Sequence, residues 1–269
     1  MSSRPAAYGT WSSPLPASLV AEASIALGYL AVAADRPYWV ESRPEQGGRH
    51  VIVTPAPGGG VSELIPPGFN ARSRVHEYGG MPFAVCGDTL YFSNFADQVM
   101  YAQRTGAGAA PLAMTMPGHR YADYDADVAG ARLFCVREDH TAGAEPVNAI
   151  VSVSTTARHA QQVLFSDSDF VAYPRVSCDG RRLAWIAWNH PDMPWDSTRL
   201  YVGELVGGAG GACALDAVRV IAGGPEESVL EPRWDADGTL YFISDRSGWW
   251  NLYRWRGREP EPVLSMAAE

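Results

Sequence analysis

Four clusters of charged and aromatic residues hold the chemistry open to this chain. They are Arg74-Val75-His76-Glu77-Tyr78-Gly79-Gly80, Arg137-Glu138-Asp139-His140, Asn189-His190-Pro191-Asp192-Met193-Pro194-Trp195-Asp196 and Asp245-Arg246-Ser247-Gly248-Trp249-Trp250. His76-Glu77 begins like the H-E-x-x-H helix of zinc hydrolases, but Gly80 stands where the second imidazole ligand would be. No G-x-S-x-G elbow occurs, so the chain encodes no α/β-hydrolase nucleophile of that type. No Walker loop or dinucleotide fingerprint joins a strand to a helix, and Gly58-Gly59-Gly60 reads as a hairpin loop. Carboxylates are numerous enough for a glycosidase pair, yet no spacing singles one out. Each cluster also has a plainer reading. The tryptophans can plug packing gaps, Glu138, Asp139 and Asp192 can be solvated or act as hydrogen-bond anchors, and the histidines can be structural.

The elements that must position these clusters follow from an internal repeat. Val176-Ser177-Cys178-Asp179-Gly180-Arg181-Arg182-Leu183-Ala184-Trp185-Ile186 and Trp234-Asp235-Ala236-Asp237-Gly238-Thr239-Leu240-Tyr241-Phe242-Ile243 are each a strand, an Asp-Gly turn and an apolar strand. Looser copies lie at 34–40, 86–93 and 129–136. Aligning Pro37, Leu90, Leu133, Leu183 and Leu240 gives steps of 53, 43, 50 and 57 residues. A period in that range indicates propeller blades or solenoid turns. The expected fold is all-β: a β-propeller of four-stranded antiparallel blades, about five of them, at roughly 25–65, 78–114, 120–165, 171–222 and 229–264. Residues 1–24 do not fit the repeat and are expected to form an N-terminal arm with a short helix at 17–23, leaving 25–269 as the propeller domain.

Within each unit four strands, A to D, are expected. In the fourth unit they are 171–177, 182–188, 198–205 and 217–222; in the fifth, 229–234, 239–244, 250–255 and 261–264; in the second, 78–85, 89–94, 99–103 and 110–114. Pro174 and Pro232 fall inside A strands, which suits only the edge of a sheet. Strand direction alternates, so the A–B and C–D turns share one face of the disc and the B–C and D–A loops share the other. The first face receives small turns, with Asp179 and Asp237 as turn formers. The second receives the four clusters and is the expected contact face for a ligand or partner domain.

Composition narrows the class. The chain has 269 residues, 46% of them hydrophobic, with a formal net charge of −9. A dispersed acidic excess excludes the basic stripe that nucleic acid requires. No uninterrupted apolar run of membrane-spanning length is present, and no signal core opens the chain, so a cytoplasmic protein is expected. Cys86, Cys135, Cys178 and Cys213 form no C-x-x-C pair, consistent with a reducing compartment and no structural zinc. No metal or cofactor is expected.

The motifs resemble a known family. Ser177 to Trp185 looks like the propeller repeat shared by prolyl oligopeptidase-family serine peptidases and TolB-like proteins. The four clusters, together with Tyr91-Phe92-Ser93-Asn94-Phe95, Asn251-Leu252-Tyr253 and Tyr8-Gly9-Thr10-Trp11-Ser12-Ser13-Pro14, resemble the N-terminal half of bacterial dipeptidyl aminopeptidase or acylaminoacyl peptidase-like enzymes. That resemblance implies a seven- or eight-bladed propeller capping a C-terminal α/β-hydrolase domain with a Ser-Asp-His triad. The propeller would filter peptides and help seat the substrate. Relative to that pattern the propeller is incomplete and the catalytic domain is absent, so no catalytic residue carries over and the chain alone is expected to be inactive. The expected partners are the hydrolase domain, on which the arm would pack, and a peptide substrate. Candidates for the cavity or the domain interface are His76, Glu77, Glu138, His140, Asp192, Trp195, Asp196, Arg246 and Trp249. The alternatives are a non-catalytic TolB-like propeller that binds a protein, and a five-bladed carbohydrate-active enzyme with two carboxylates facing across the axis.

Overall fold

The computed structural model describes residues 7–10, 13–16, 24–106, 108–127, 129–143, 145–207 and 213–268. The expected helix at 17–23 lies outside the described residues, as does most of the glycine turn at 207–211. Twenty strands form five separate four-stranded antiparallel sheets, each in simple sequence order among the described residues. Blade one is β1 (Ala26–Ala33), β2 (Arg36–Arg43), β3 (Arg49–Pro55) and β4 (Val61–Glu63). Blade two is β5 (Phe83–Cys86), β6 (Thr89–Ser93), β7 (Met100–Arg104) and β8 (Leu112–Ala113). Blade three is β9 (His119–Asp127), β10 (Arg132–Asp139), β11 (Val147–Ser154) and β12 (Gln161–Phe165). Blade four is β13 (Phe170–Val176), β14 (Arg182–Trp188), β15 (Arg199–Val206) and β16 (Ala214–Gly223). Blade five is β17 (Val229–Trp234), β18 (Leu240–Ser244), β19 (Asn251–Trp255) and β20 (Glu261–Pro262). The fold is the all-β propeller that the repeat predicts.

The A–B turns close by one polar device with changing residues. In blade four the Ser177 hydroxyl accepts the Arg182 amide at 2.9 Å and donates to Asp179 at 2.6 Å, and Gly180 takes a φ of +70°. In blade five Asp235 replaces the serine and accepts the amides of Asp237 and Thr239 at 3.0 and 2.8 Å. In blade three Asp127 accepts the Gly130 amide at 2.8 Å and pairs with Arg132. A short side chain with an acceptor at the strand end, followed by a residue that tolerates positive φ, is what such a hairpin needs.

The core lies between blades. The B strand β14 is buried almost throughout because it has a neighbour on both sides. Ala184, Ile186 and Trp188 pack with Leu240, Phe242 and Tyr253 of blade five. Leu183, Trp185 and Ala187 pack with Phe134, Val136 and Ile150 of blade three. Alternate residues therefore serve two cores, which explains a run with no polar position. The end blades differ. In β18, Leu240 and Phe242 are buried toward blade four, whereas Tyr241 and Ile243 on the opposite face are only half-buried. Innermost strands of successive blades pack on one another from β1 through β17, and no comparable packing joins β17 to β1 among the described residues. Among the described residues the five blades form an arc whose two outer flanks stand open.

Blade two departs from its expected A strand, 78–85, because the ladder begins only at Phe83. Pro82 has no amide to give, and the Met81 amide is committed to the Asp123 carboxylate of the next blade at 2.9 Å.

Candidate functional site

The innermost strands carry a shared irregularity that builds the site. Strand register breaks between Gly28 and Ala31, opposite Phe134 and Val136 in β9, between Ala172 and Arg175, and between Leu230 and Arg233. At each break one residue sits in the left-handed region: Tyr29 (φ +53°), Asp123 (+57°), Tyr173 (+53°) and Glu231 (+49°). Such bulges bend the strand and redirect one side chain. Each left-handed non-glycine residue costs on the order of 1 kcal/mol or more, so the surrounding contacts must hold it in place. Pro174 and Pro232 follow two of these residues. The bulge is where a strand can accept a residue without an N–H, which resolves the conflict they pose in the sequence.

Tyr29, Asp123, Tyr173 and Glu231, with Met81 of blade two, all line one axial cavity of about 590 Å³. A volume of this size is typical of small-ligand sites. Four blades thus contribute the side chain at the bulge of their inner strand, and blade two contributes Met81 from just before its inner strand. The mouth is framed by His76, Tyr78 and Trp195, so the cavity opens among the B–C and D–A loops. That is the face on which the sequence places its unusual residues.

Asp123 is the hub of the inner ring. It is 8% exposed, and its two oxygens accept the Met81 amide at 2.9 Å and the Tyr173 amide at 3.3 Å. One carboxylate thereby joins blades two, three and four. Asp125, one turn of the pleat further on, accepts the Val176 amide at 2.7 Å. Burial raises its pKa above the ordinary carboxylate value, against the opposing pull of Arg175 and Arg233. Burial, then the charges of Asp123 and Glu231, push the Tyr173 phenol up to about 12, so it remains a neutral hydroxyl.

The predicted site residues divide by position. His76 and Trp195 line the cavity. His76 packs its ring against Trp188, Phe170 and Tyr78 with centroids 5.4–5.6 Å apart. Glu138 is 2% exposed and lies behind this wall, where it accepts the His76 amide at 2.5 Å and meets the His140 ring at 3.0 Å. It is therefore a support for the His76 loop, and His140 is its partner. Glu77 pairs with Arg120 at the surface. Asp196 accepts the Met193 amide at 2.9 Å and so shapes the loop that presents Trp195, while Asp192 is half-buried on that loop. Arg246 pairs with Glu227 at 2.8 Å and covers the Tyr253 ring. Trp249 is 43% exposed on blade five. Of the nine candidates, His76 and Trp195 alone line the cavity. The residues that sequence reasoning missed are Tyr29, Met81, Tyr173, Arg175, Glu231 and Arg233, with Asp123 seen only as part of a loop. The signal for three of them was the recurring X-Pro at Met81-Pro82, Tyr173-Pro174 and Glu231-Pro232, at or just before equivalent inner strands.

Among the described residues, no serine or cysteine side chain hydrogen-bonds a histidine ring in the manner of a nucleophile and its base. No cluster of His, Cys, Asp and Glu suits a metal ion among them either. No helix is long and apolar enough to cross a membrane.

His76 gives the wall a pH dependence. Burial lowers its pKa below the ordinary imidazole value, and the Glu138 and Asp123 carboxylates only partly offset this. The folded state therefore holds the ring neutral, while the unfolded chain takes up a proton below about pH 6.5. Stability is full above that pH and falls as pH decreases through it. The urea midpoint is expected to drop between pH 7.5 and 5.5, and by less in His76→Gln. The remaining slope includes His50, lowered by burial and by Arg72. Equal slopes in the two proteins would remove His76 from this account.

The fold defines a class, the β-propeller of four-stranded antiparallel blades, and in sequence and fold the chain is similar to the propeller regions of the prolyl oligopeptidase family, as the motifs implied. The chain is similar over 97% of its length to a crystal structure of a puromycin hydrolase serine-to-alanine mutant complexed with PGG, at 32% identity and a TM-score of 0.87. It is similar over 96% of its length to a puromycin-hydrolyzing peptidase of Mycobacterium tuberculosis, at 36% identity and a TM-score of 0.83. It spans 42% of the length of each of these proteins. A structure from a study of two prolyl endopeptidases matches 90% of the chain at 12% identity and a TM-score of 0.62, a likeness of fold alone. No family model and no curated protein matches the sequence.

Proposed function

We propose that this chain is the substrate-seating and domain-docking propeller of a serine peptidase, non-catalytic by itself. A C-terminal hydrolase domain would meet the loop-rich face and supply the Ser-Asp-His triad, with chemistry of the kind that a histidine-activated serine and an oxyanion hole perform. A short peptide would enter the axial cavity from that face, its end held while the scissile bond faces the other domain. The observation that carries this reading is the convergence of a bulged inner-strand residue from each of four blades, with Met81 before the inner strand of blade two, on a cavity opening toward that face. Dipeptidyl aminopeptidase-like and acylaminoacyl peptidase-like cleavage are both compatible with it. The names of the similar structures make puromycin a further ligand to test. Four free thiols support a reducing compartment such as the cytoplasm.

The test is binding without turnover. Tripeptide amides titrated into the purified chain are expected to give a saturable change in tryptophan fluorescence, since Trp188 and Trp195 line the cavity. Trp195, 61% exposed, can be removed without disturbing the core. Trp195→Ala is expected to raise Kd about tenfold with an unchanged Tm, the loss of one aromatic anchor. Peptide p-nitroanilides are expected to remain intact. Absence of saturable binding, or turnover by the chain alone that a serine-directed inhibitor blocks, overturns the reading.

A further inference from the structure

The floor of the axial cavity holds two arginines with no carboxylate partner. Arg175 is 5% exposed, and its one hydrogen bond is from Nη1 to the Pro174 carbonyl at 2.7 Å. A guanidinium has five N–H donors. Arg233, two residues past the left-handed Glu231 of β17, pairs with Tyr241 through its backbone, and its side chain makes no hydrogen bond or ion pair among the described residues. The two side chains are close enough that the charge of Arg233 adds to burial in lowering the pKa of Arg175, with Asp125 and Asp123 partly offsetting both. Both arginines also line the two cavities on the far side, of about 420 and 500 Å³, so they stand at the throat of the channel where all three spaces meet.

The neighbouring acids are already committed. Asp123 spends both oxygens on backbone amides of blades two and four. Asp125 accepts the Val176 amide, and its raised pKa reflects burial that two nearby arginines do not overcome. Glu231 lines the same cavity without pairing with either guanidinium. A buried guanidinium is normally paired, because an isolated buried charge is costly. Here the buried fork of Arg175, which lies over the Tyr173 ring, and the exposed fork of Arg233 line the same cavity with no carboxylate in hydrogen-bond contact among the described residues. A planar oxyanion is the group that satisfies such donors two at a time.

We propose that Arg175 and Arg233 form a carboxylate site at the throat of the propeller, and that its ligand is the C-terminal carboxylate of a short peptide. This rests on the reading of the cavity as a peptide seat and adds polarity to it. The peptide lies with its carboxylate at the arginines and its chain running past Tyr173 and Trp188 toward the mouth. The cavity then measures substrates from their C-terminal end, and only peptides short enough to span from throat to mouth present a bond at the loop-rich face.

The experiment compares tri-alanine as the free acid with its C-terminal amide, by calorimetry on the chain at pH 7.5 and low salt. The acid is expected to bind at least about tenfold more tightly, the worth of a hydrogen-bonded charge. In Arg233→Gln that preference is expected to shrink to less than about threefold while amide affinity stays unchanged. Arg233 is exposed, so this variant keeps the test valid where Arg175→Gln fails to fold. Inorganic phosphate is the second arm. Displacement of the acid, but not of the amide, by phosphate supports the shared oxyanion chemistry. Equal affinity of acid and amide overturns the proposal while leaving the peptide seat standing. Arginine-dependent phosphate binding with no preference for the acid also overturns it, assigning the site to inorganic anions. Failure of both peptides to bind removes the peptide seat itself.

Discussion

Replacing Asp123 with leucine is expected to lower the melting temperature of the chain by about 10 °C. The side chain is nearly isosteric, but it strands the amides of Met81 and Tyr173 in the inner ring. Each buried amide left unpaired costs about 1–3 kcal/mol, and a domain of this size loses roughly 2–4 °C per kcal/mol. The position also has a φ of +57°, which the hydrogen bonds of aspartate hold in place and leucine does not. Asp123→Asn keeps one acceptor and is expected to lose about half as much. Differential scanning calorimetry checks both. A leucine variant that melts within about 2 °C of the original would show that the blades are joined by apolar packing and that the carboxylate hub is incidental. Function is tied to the same hub, because Asp123 holds Met81 and Tyr173 where they line the cavity.

The second large effect concerns the open flanks. The inner strand of blade one exposes Leu27 (72%), Leu30 (69%) and Val32 (67%), and blade five exposes Leu252 (43%), with Tyr241 and Ile243 half-buried beside it. In a closed ring such faces lie against neighbouring blades. Exposed apolar strands of this kind are templates for association. The purified chain is expected to associate at micromolar concentration, with sedimentation that depends on loading. Leu27→Lys combined with Val32→Lys places two charges on the flank and is expected to raise the dissociation constant at least about tenfold. Both residues are exposed, so the fold is expected to survive, as far-ultraviolet circular dichroism would report. A monomer at all concentrations with a sharp melt would mean that the arc buries enough surface within its own blades.

These two expectations connect the fold to the reading of function. Blades one and five each offer a face that no described residue covers, and the chain spans 42% of the puromycin hydrolases it resembles. The cavity is nevertheless assembled within the arc, since all five blades reach it. The proposed peptide seat can therefore be tested by binding alone, without turnover.

The blades were legible because their signals are local. An Asp-Gly turn between apolar runs depends on residues a few positions apart, and β14 and β17 run over the residues that the pattern indicated. Ser177 and Asp235 cap their turns through neighbours within five residues in sequence. The loop-rich face was legible for a related reason. Alternation of strand direction sorts the loops, and the cavity mouth with His76 and Trp195 lies among those sorted to that face.

The floor of the site was not legible, because it is made by contacts that cross blades. Asp123 reaches residues 42 and 50 positions away, and Glu138 supports an amide 62 positions away. Nothing near Glu138 in sequence distinguishes a buried support from a cavity acid, and it proved to be the former. Tyr173-Pro174 and Glu231-Pro232 read as flaws in a strand until the bulges gave them a place. The sequence by itself determined the repeat, the strand order and the absence of a G-x-S-x-G nucleophile, because backbone propensity and turn chemistry act over a few residues. Only the tertiary structure decided which side chains face the axis. A bulge shifts the alternation of a strand by one position, and its location depends on the blades packed to either side.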